Sequence, residues 1–144
     1  MTTPASEVSE EVQNFNWLVA RFVQETAGVI AAIAVSSDGL LVATSAALER
    51  ATADRLAAIA SAILSLAHGV TESYPLGEPD KAVIELTQGY LLVCTISDGC
   101  ALGVLASKQA KLGGVAFEMA LFANRASTVL TPSLIEELKV TVGG

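Results

Sequence analysis

His68 is the only histidine in a chain of 144 residues. Ser61 and Asp54 lie near it on the more polar side of one helical segment, so the three residue types of a hydrolytic triad are present. That chemistry needs a nucleophile on a strained turn and donors arranged around a developing oxyanion. Three residues along one helix supply neither. The plainer expectation for His68 is a position near a helix end, where its ring meets the carbonyl end of the helix dipole. Gly113-Gly114 has the composition of a phosphate cradle, but no P-loop lysine follows, and a helical pattern surrounds it. A close backbone contact is expected there. Glu136-Glu137 reads as a solvated face. No P-loop, dinucleotide-binding glycine fingerprint, zinc-ligand spacing or GxSxG elbow occurs. The expectation is a protein that is not an enzyme and holds no cofactor or metal.

Cys94 and Cys100 are the only cysteines. With Asp98-Gly99 as a two-residue turn, Cys94 falls opposite Gly103 and Cys100 opposite Ser97, which sends the two thiols to opposite faces of a sheet. Free, buried thiols are expected. Eight basic against fifteen acidic residues give a net charge of −7, which disfavours nucleic acid and anionic membrane surfaces as partners. The first residues carry neither a basic nor an apolar leader region, so no signal peptide is visible and the cytoplasm is expected. No apolar run approaches the roughly 20 residues of a membrane span. Yet 52% of the residues are hydrophobic and only 16% charged. Burial of apolar surface against another chain accounts for that excess better than insertion into a bilayer.

Two stretches of the chain resemble each other. Gly28 to Ser45 and Gly89 to Ser107 each place a Ser-Asp-Gly turn between apolar runs, a strong hairpin signal. Neither hairpin alternates apolar with polar. With a two-residue turn, Ile33, Val35, Leu40 and Val42 share one face of the first hairpin, and Ala32, Ala34, Leu41 and Ala43 share the other. A sheet that is apolar on both faces must be covered on both. Ala82 to Thr87, Tyr90 to Ile96 and Ala101 to Ala106 form a three-stranded meander.

Helices separate and flank these strands. Val12, Phe15, Val19 and Phe22 recur at helical spacing from Glu11, and Gly28 stops that helix. Lys111 to Val129 carries Leu112, Val115, Met119, Phe122, Ala126 and Val129 at the same spacing. Thr131-Pro132 ends it, and Ser133 to Lys139 adds a short helix. Residues 1–10 are expected to be a disordered tail, 11–139 a single domain and 140–144 a C-terminal tail. The order predicts an α+β fold with five antiparallel strands and helices on both faces.

The middle helix, from Glu49 to about Val70, has two rows. Leu56, Ile59, Ile63, Leu66 and Val70 make a stripe expected to face the sheet. Ala58, Ala62, Ser65 and Gly69 make a lane of small side chains about 100° away, suited to close approach of another helix. Beside it, the strand Lys81 to Thr87 carries one charge in its middle, Glu85, and an edge of that kind invites pairing. A homodimer interface is therefore expected at Ala58, Ala62, Ser65, Gly69, Val83, Ile84 and Glu85.

The layout resembles the roadblock family, also called the dynein light chain roadblock-type domain, in the form found in actinobacterial small-GTPase operons. The carrying stretches are NWLV (16–19), TAGV (26–29), AVSSDGLLVATS (34–45), ADRLAAIASAILSLA (53–67), GYLLVCTISDG (89–99), EMAL (118–121) and LTPSLIEEL (130–138). The resemblance covers roughly Asn14 to Leu138. It implies strand order 2-1-5-4-3, with the second helix on one face and the first and third on the other, as in profilin-like sandwiches. It also implies homodimers in which edge strands pair and second helices pack together. Bacterial members commonly work with Ras-like small GTPases, and the operon type adds a sensor kinase complex as a further partner. The expected function is a non-catalytic, dimeric GTPase regulator, the alternative being a passive scaffold or light-chain-like adaptor. No arginine finger is assigned to Arg21, Arg50, Arg55 or Arg125.

Overall fold

The computed structural model describes residues 8–143. The chain runs α1 (Glu10–Glu25), β1 (Val29–Ser36), β2 (Leu41–Thr44), α2 (Arg50–Ser73), β3 (Lys81–Leu86), β4 (Gly89–Ser97), β5 (Cys100–Ser107), α3 (Leu112–Ser127) and α4 (Pro132–Gly143). The strands form one antiparallel sheet in the order β2-β1-β5-β4-β3. The α+β class and the strand order match the expectation. The expected tail at residues 1–10 lies outside the described residues up to residue 7. Ser9 and Glu10 belong to α1, where the Ser9 hydroxyl accepts a hydrogen bond from the Val12 amide at 3.2 Å and caps the helix. At the other end, 140–143 are not tail: α4 continues through Gly143.

Helices cover both faces of the sheet. On one, Val12, Phe15, Val19 and Phe22 of α1 and Val115, Met119, Phe122 and Ala126 of α3 pack on Ala32, Ala34, Leu92, Leu102 and Val104. Phe122 sits edge-on to Phe15 and Phe22, with ring centroids 6.2 and 5.6 Å away. Leu134, Ile135 and Leu138 of α4 join the same core, while Val142 packs against the core on the opposite face. The last helix thus passes around β2 at one end of the sheet. Arg50 at the start of α2 donates to the Val142 carbonyl and ties the wrap down.

Both hairpins depart from two-residue-turn register. Gly39 has φ +83°, while no non-glycine residue has positive φ among the described residues. Ser36 N–H donates to the Leu40 carbonyl at 2.9 Å, closing a three-residue loop. Val35 then pairs with Leu41 and Ala34 with Ala43, leaving Val42 as a bulge. Leu41, not Leu40 or Val42, therefore joins Ile33 and Val35, Val42 joins Ala32 and Ala34, and Leu40 is exposed. In the second hairpin Ser97 faces Cys100 as expected, but a bulge at Ile96 sets Cys94 opposite Leu102. Cys94 and Cys100 consequently lie in the same core, on one face of the sheet rather than two. Both are free and buried.

Two glycines allow backbone contacts no side chain would permit. Gly28, at φ +88°, would place a Cβ 2.5 Å from that of Ala110, and Gly89 would place one 2.6 Å from the Ala106 carbonyl oxygen. Gly113 and Gly114 are different. A Cβ on either would meet nothing within 4 Å, so the expected close contact is absent and the pair opens α3 at the surface.

Candidate protein–protein interface

Helix α2 packs on the sheet through Ala53, Leu56, Ala57, Ala60 and Leu64. This corrects the expected stripe. Leu56 faces the sheet and Ile63 is half-buried, but Ile59, Leu66 and Val70 are exposed, Leu66 to 76%. The cause lies in the sheet beneath. A Cβ on Gly103 would come within 3.5 Å of the Ala60 Cβ and 3.2 Å of Ile33, so the helix axis is drawn close to β5 where only alanines fit. The large residues of α2 are left roughly 120° around the helix, on its outer side.

Ala58, Ala62, Ser65 and Gly69 are all exposed, and a Cβ at Gly69 would meet nothing within 4 Å. Together with Ile59, Leu66 and Val70 they make the outer surface of α2 an apolar strip with its smallest residues in one row. By length and composition alone α2 could cross a membrane, with 17% of its most apolar window buried. Its alanine-rich face on the sheet and its ion pair of Arg50 with Asp54 at 3.0 Å fit an amphipathic helix of a folded domain instead.

Strand β3 pairs only with β4, so its outer edge carries unpaired backbone groups. Ile84 and Leu86 lie opposite Leu91 and Gly89 and face the α2 side, while Val83 and Glu85 lie opposite Leu92 and Tyr90 and face the α3 side. Val83, Ile84 and Leu86 are all exposed. Glu85 is drawn back onto its own chain by Lys108, whose ammonium lies 4.7 Å from the Tyr90 ring centroid. The Lys108 pKa is raised, first by its hydrogen bond to Glu85. The one charge in the middle of the edge is thus neutralised within the subunit, and Lys81 at its start pairs with Asp80 at 3.4 Å. All seven expected interface residues are exposed; Ala58, Ala62, Ser65, Gly69 and Ile84 lie on the α2 side of the sheet, and Val83 and Glu85 on the other.

Asp54 and His68 do not pair with each other among the described residues. Asp54 is held by Arg50, and α2 continues five residues past His68 to Ser73, so the ring is not at the helix end. Its Nδ1 lies 3.2 Å from Glu78 Oε2 across the loop to β3, and the Thr71 hydroxyl donates to the Gly77 carbonyl at 2.8 Å. These two contacts hold that loop against α2. Among the described residues no cluster of His, Cys, Asp or Glu is arranged to hold a metal ion.

A single sheet of this order, with one helix on one face and the others opposite, defines the class of α+β sandwich shared by roadblock domains and profilins. The chain belongs to the Roadblock/LC7 domain family, whose model matches residues 15–106. A Roadblock/LC7 domain from Streptomyces avermitilis is 30% identical and superposes with a TM-score of 0.75 over 78% of this chain and 94% of that one. MglB from Myxococcus xanthus is 16% identical, with a TM-score of 0.76 over 83% of this chain and 97% of that one. Profilin from Schizosaccharomyces pombe shares the fold at 14% identity and a TM-score of 0.62, over 81% of this chain and 99% of the profilin. No curated protein matches the sequence.

Proposed function

We propose that the protein is a non-catalytic, cytoplasmic homodimer that regulates a Ras-like small GTPase. One observation carries the dimer: α2 turns Ile59, Leu66 and Val70 outward beside an open β3 edge. Covering those side chains with a second α2 and pairing β3 with its copy would remove the exposed apolar strip and satisfy the free edge together. Light scattering at micromolar concentration is expected to give twice 14.8 kDa; a monomer would defeat the proposal.

The GTPase rests on family membership and on the absence of any nucleotide-cradling loop in the sequence. A partner that reads nucleotide state must bind the two states with different free energies. Calorimetry against the GTPase of the same operon, loaded with GDP or a GTP analogue, should show a preference for one form, and GTP turnover should change when the protein is added. Equal affinity and unchanged turnover would favour the passive-adaptor reading. A sensor kinase complex is a further partner on this proposal, reached through the same assembly.

A further inference from the structure

The two Ser-Asp-Gly turns meet at one end of the sheet, where the Ser37 amide donates to the Gly99 carbonyl at 3.0 Å. Between these turns and α2 lies a groove of about 440 Å³. Val35, Leu64, Pro79 and Ala101 give it apolar walls. Ser61 and Ser65 from α2 and Ser97 from the turn contribute hydroxyls, and its charged side chains are Glu78 and Asp98, with His68 beside Glu78. Among the described residues no lysine or arginine lines it. Asp98 makes no ion pair among the described residues, unlike Asp38 of the matching turn, which is held by Lys139 at 3.2 Å. Two equivalent turns thus differ in one respect: one carboxylate is answered from within the chain, and the one in the groove is not.

We propose that this groove binds an arginine side chain presented by a partner protein. An arginine stem is apolar and its planar head carries five donors. The stem would lie along Leu64 and Val35, while the head reaches Asp98 and the free oxygen of Glu78 in charge-assisted hydrogen bonds, with serine hydroxyls taking the remaining donors. The acidic net charge of −7 would speed the encounter with a basic partner surface. The inference rests on the reading of the protein as a partner-binding module, and it holds whether or not that partner is a GTPase.

The test is a titration of the full chain with N-acetyl-arginine amide, followed by backbone-amide NMR shifts. Saturable shifts confined to Ser61, Ser65 and the Ser97–Ala101 turn are expected. The citrulline analogue, which keeps the shape and loses the charge, should bind at least about tenfold more weakly, as should the Glu78→Gln/Asp98→Asn variant. That variant's thermal unfolding should stay close to wild type, since both side chains are exposed and the glutamine amide keeps an oxygen acceptor for the His68 ring. Shifts absent, shared equally with Glu10, Glu11 and Glu136, or unchanged by citrulline or by the variant would overturn the proposal. Free arginine binding more tightly than the blocked form would make the groove a small-molecule site and overturn it as well. No GTPase is present in this experiment, so its failure would leave the proposed GTPase regulation standing.

Discussion

Helices α1 and α2 lie on opposite faces of one sheet and place their apolar residues in opposite ways. Helix α1 buries Phe15 and Phe22 and leaves Trp17 exposed, and α3 completes that layer with Phe122 and Met119. Helix α2 buries alanines at 53, 57 and 60 and turns Ile59, Leu66 and Val70 outward. The two ends of the sheet differ in the same sense: α4 wraps β2, while β3 is left open. One half packs its phenylalanines into a closed core layer. The other carries exposed apolar side chains and a free strand edge, which the proposed dimer would cover.

If the faces are so divided, removing a large side chain should have unlike consequences on each. Phe122→Ala empties a site packed by two other phenylalanines and should lower unfolding free energy by about 3–5 kcal/mol. Leu66→Ala removes a side chain that is 76% exposed in the single subunit. It should change subunit stability by less than about 0.5 kcal/mol, while weakening association. Chemical denaturation under dissociating conditions, together with sedimentation of the same variants, checks both. Similar unfolding losses for the two would erase the distinction between the faces.

The division is sharpened by charge. Ala62 is central to the small lane, whereas Ala47 lies in an exposed turn before α2. Ala62→Arg in a closed helix–helix contact must splay the helices or bury an unpaired guanidinium, a cost of about 3–5 kcal/mol. Ala47→Arg should cost association nothing measurable. Equal dimer fractions for the two variants would place the lane outside the contact.

Helical spacing was enough to read α1 and α3, because the residues at spacings of three and four, Val12, Phe15, Val19 and Phe22 in one and Val115, Met119, Phe122 and Ala126 in the other, are the buried ones, although Trp17 and Phe117 stay exposed. In α2 most of the large residues at that spacing are exposed. Ala53, Leu56, Ala57, Ala60 and Leu64 form a stripe as regular as the one through Ile59, Leu66 and Val70, and side-chain size pointed to the wrong one. Gly103 held the missing signal: a glycine in a buried central strand marks a close approach from above. The small-residue lane was legible because Ala58, Ala62, Ser65 and Gly69 recur at helical spacing along one side of α2. The bulges at Val42 and Ile96 were not, since a one-residue slip leaves no mark on composition yet moves side chains across the sheet. The groove at the paired turns was also missed. Its hydroxyls come from α2 and the end of β4, and only the fold brings them together.

The smallest expected effect concerns the thiols on the closed face. Burial pushes Cys94 up to about 11 and Cys100 up to about 12, from an ordinary value of 9.0. Desolvation is the leading cause in both, because the charged thiolate is disfavoured in an apolar layer. In the unfolded chain both thiols ionise near the ordinary value, so between there and the folded values the native state holds more protons. Stability from this source is complete below about pH 8 and falls as pH rises towards 11. Between pH 7 and 9 the two thiols together should account for about 1 kcal/mol of loss. A Cys94→Ala/Cys100→Ala variant, measured against wild type by denaturant unfolding across that range, should lack this component. The same variant should leave association through α2 and β3 unchanged, because neither thiol lies on that surface. If the two proteins lost stability in parallel up to pH 10, the thiols would not be desolvated, and the three-helix face would be no more closed than the one α2 leaves open.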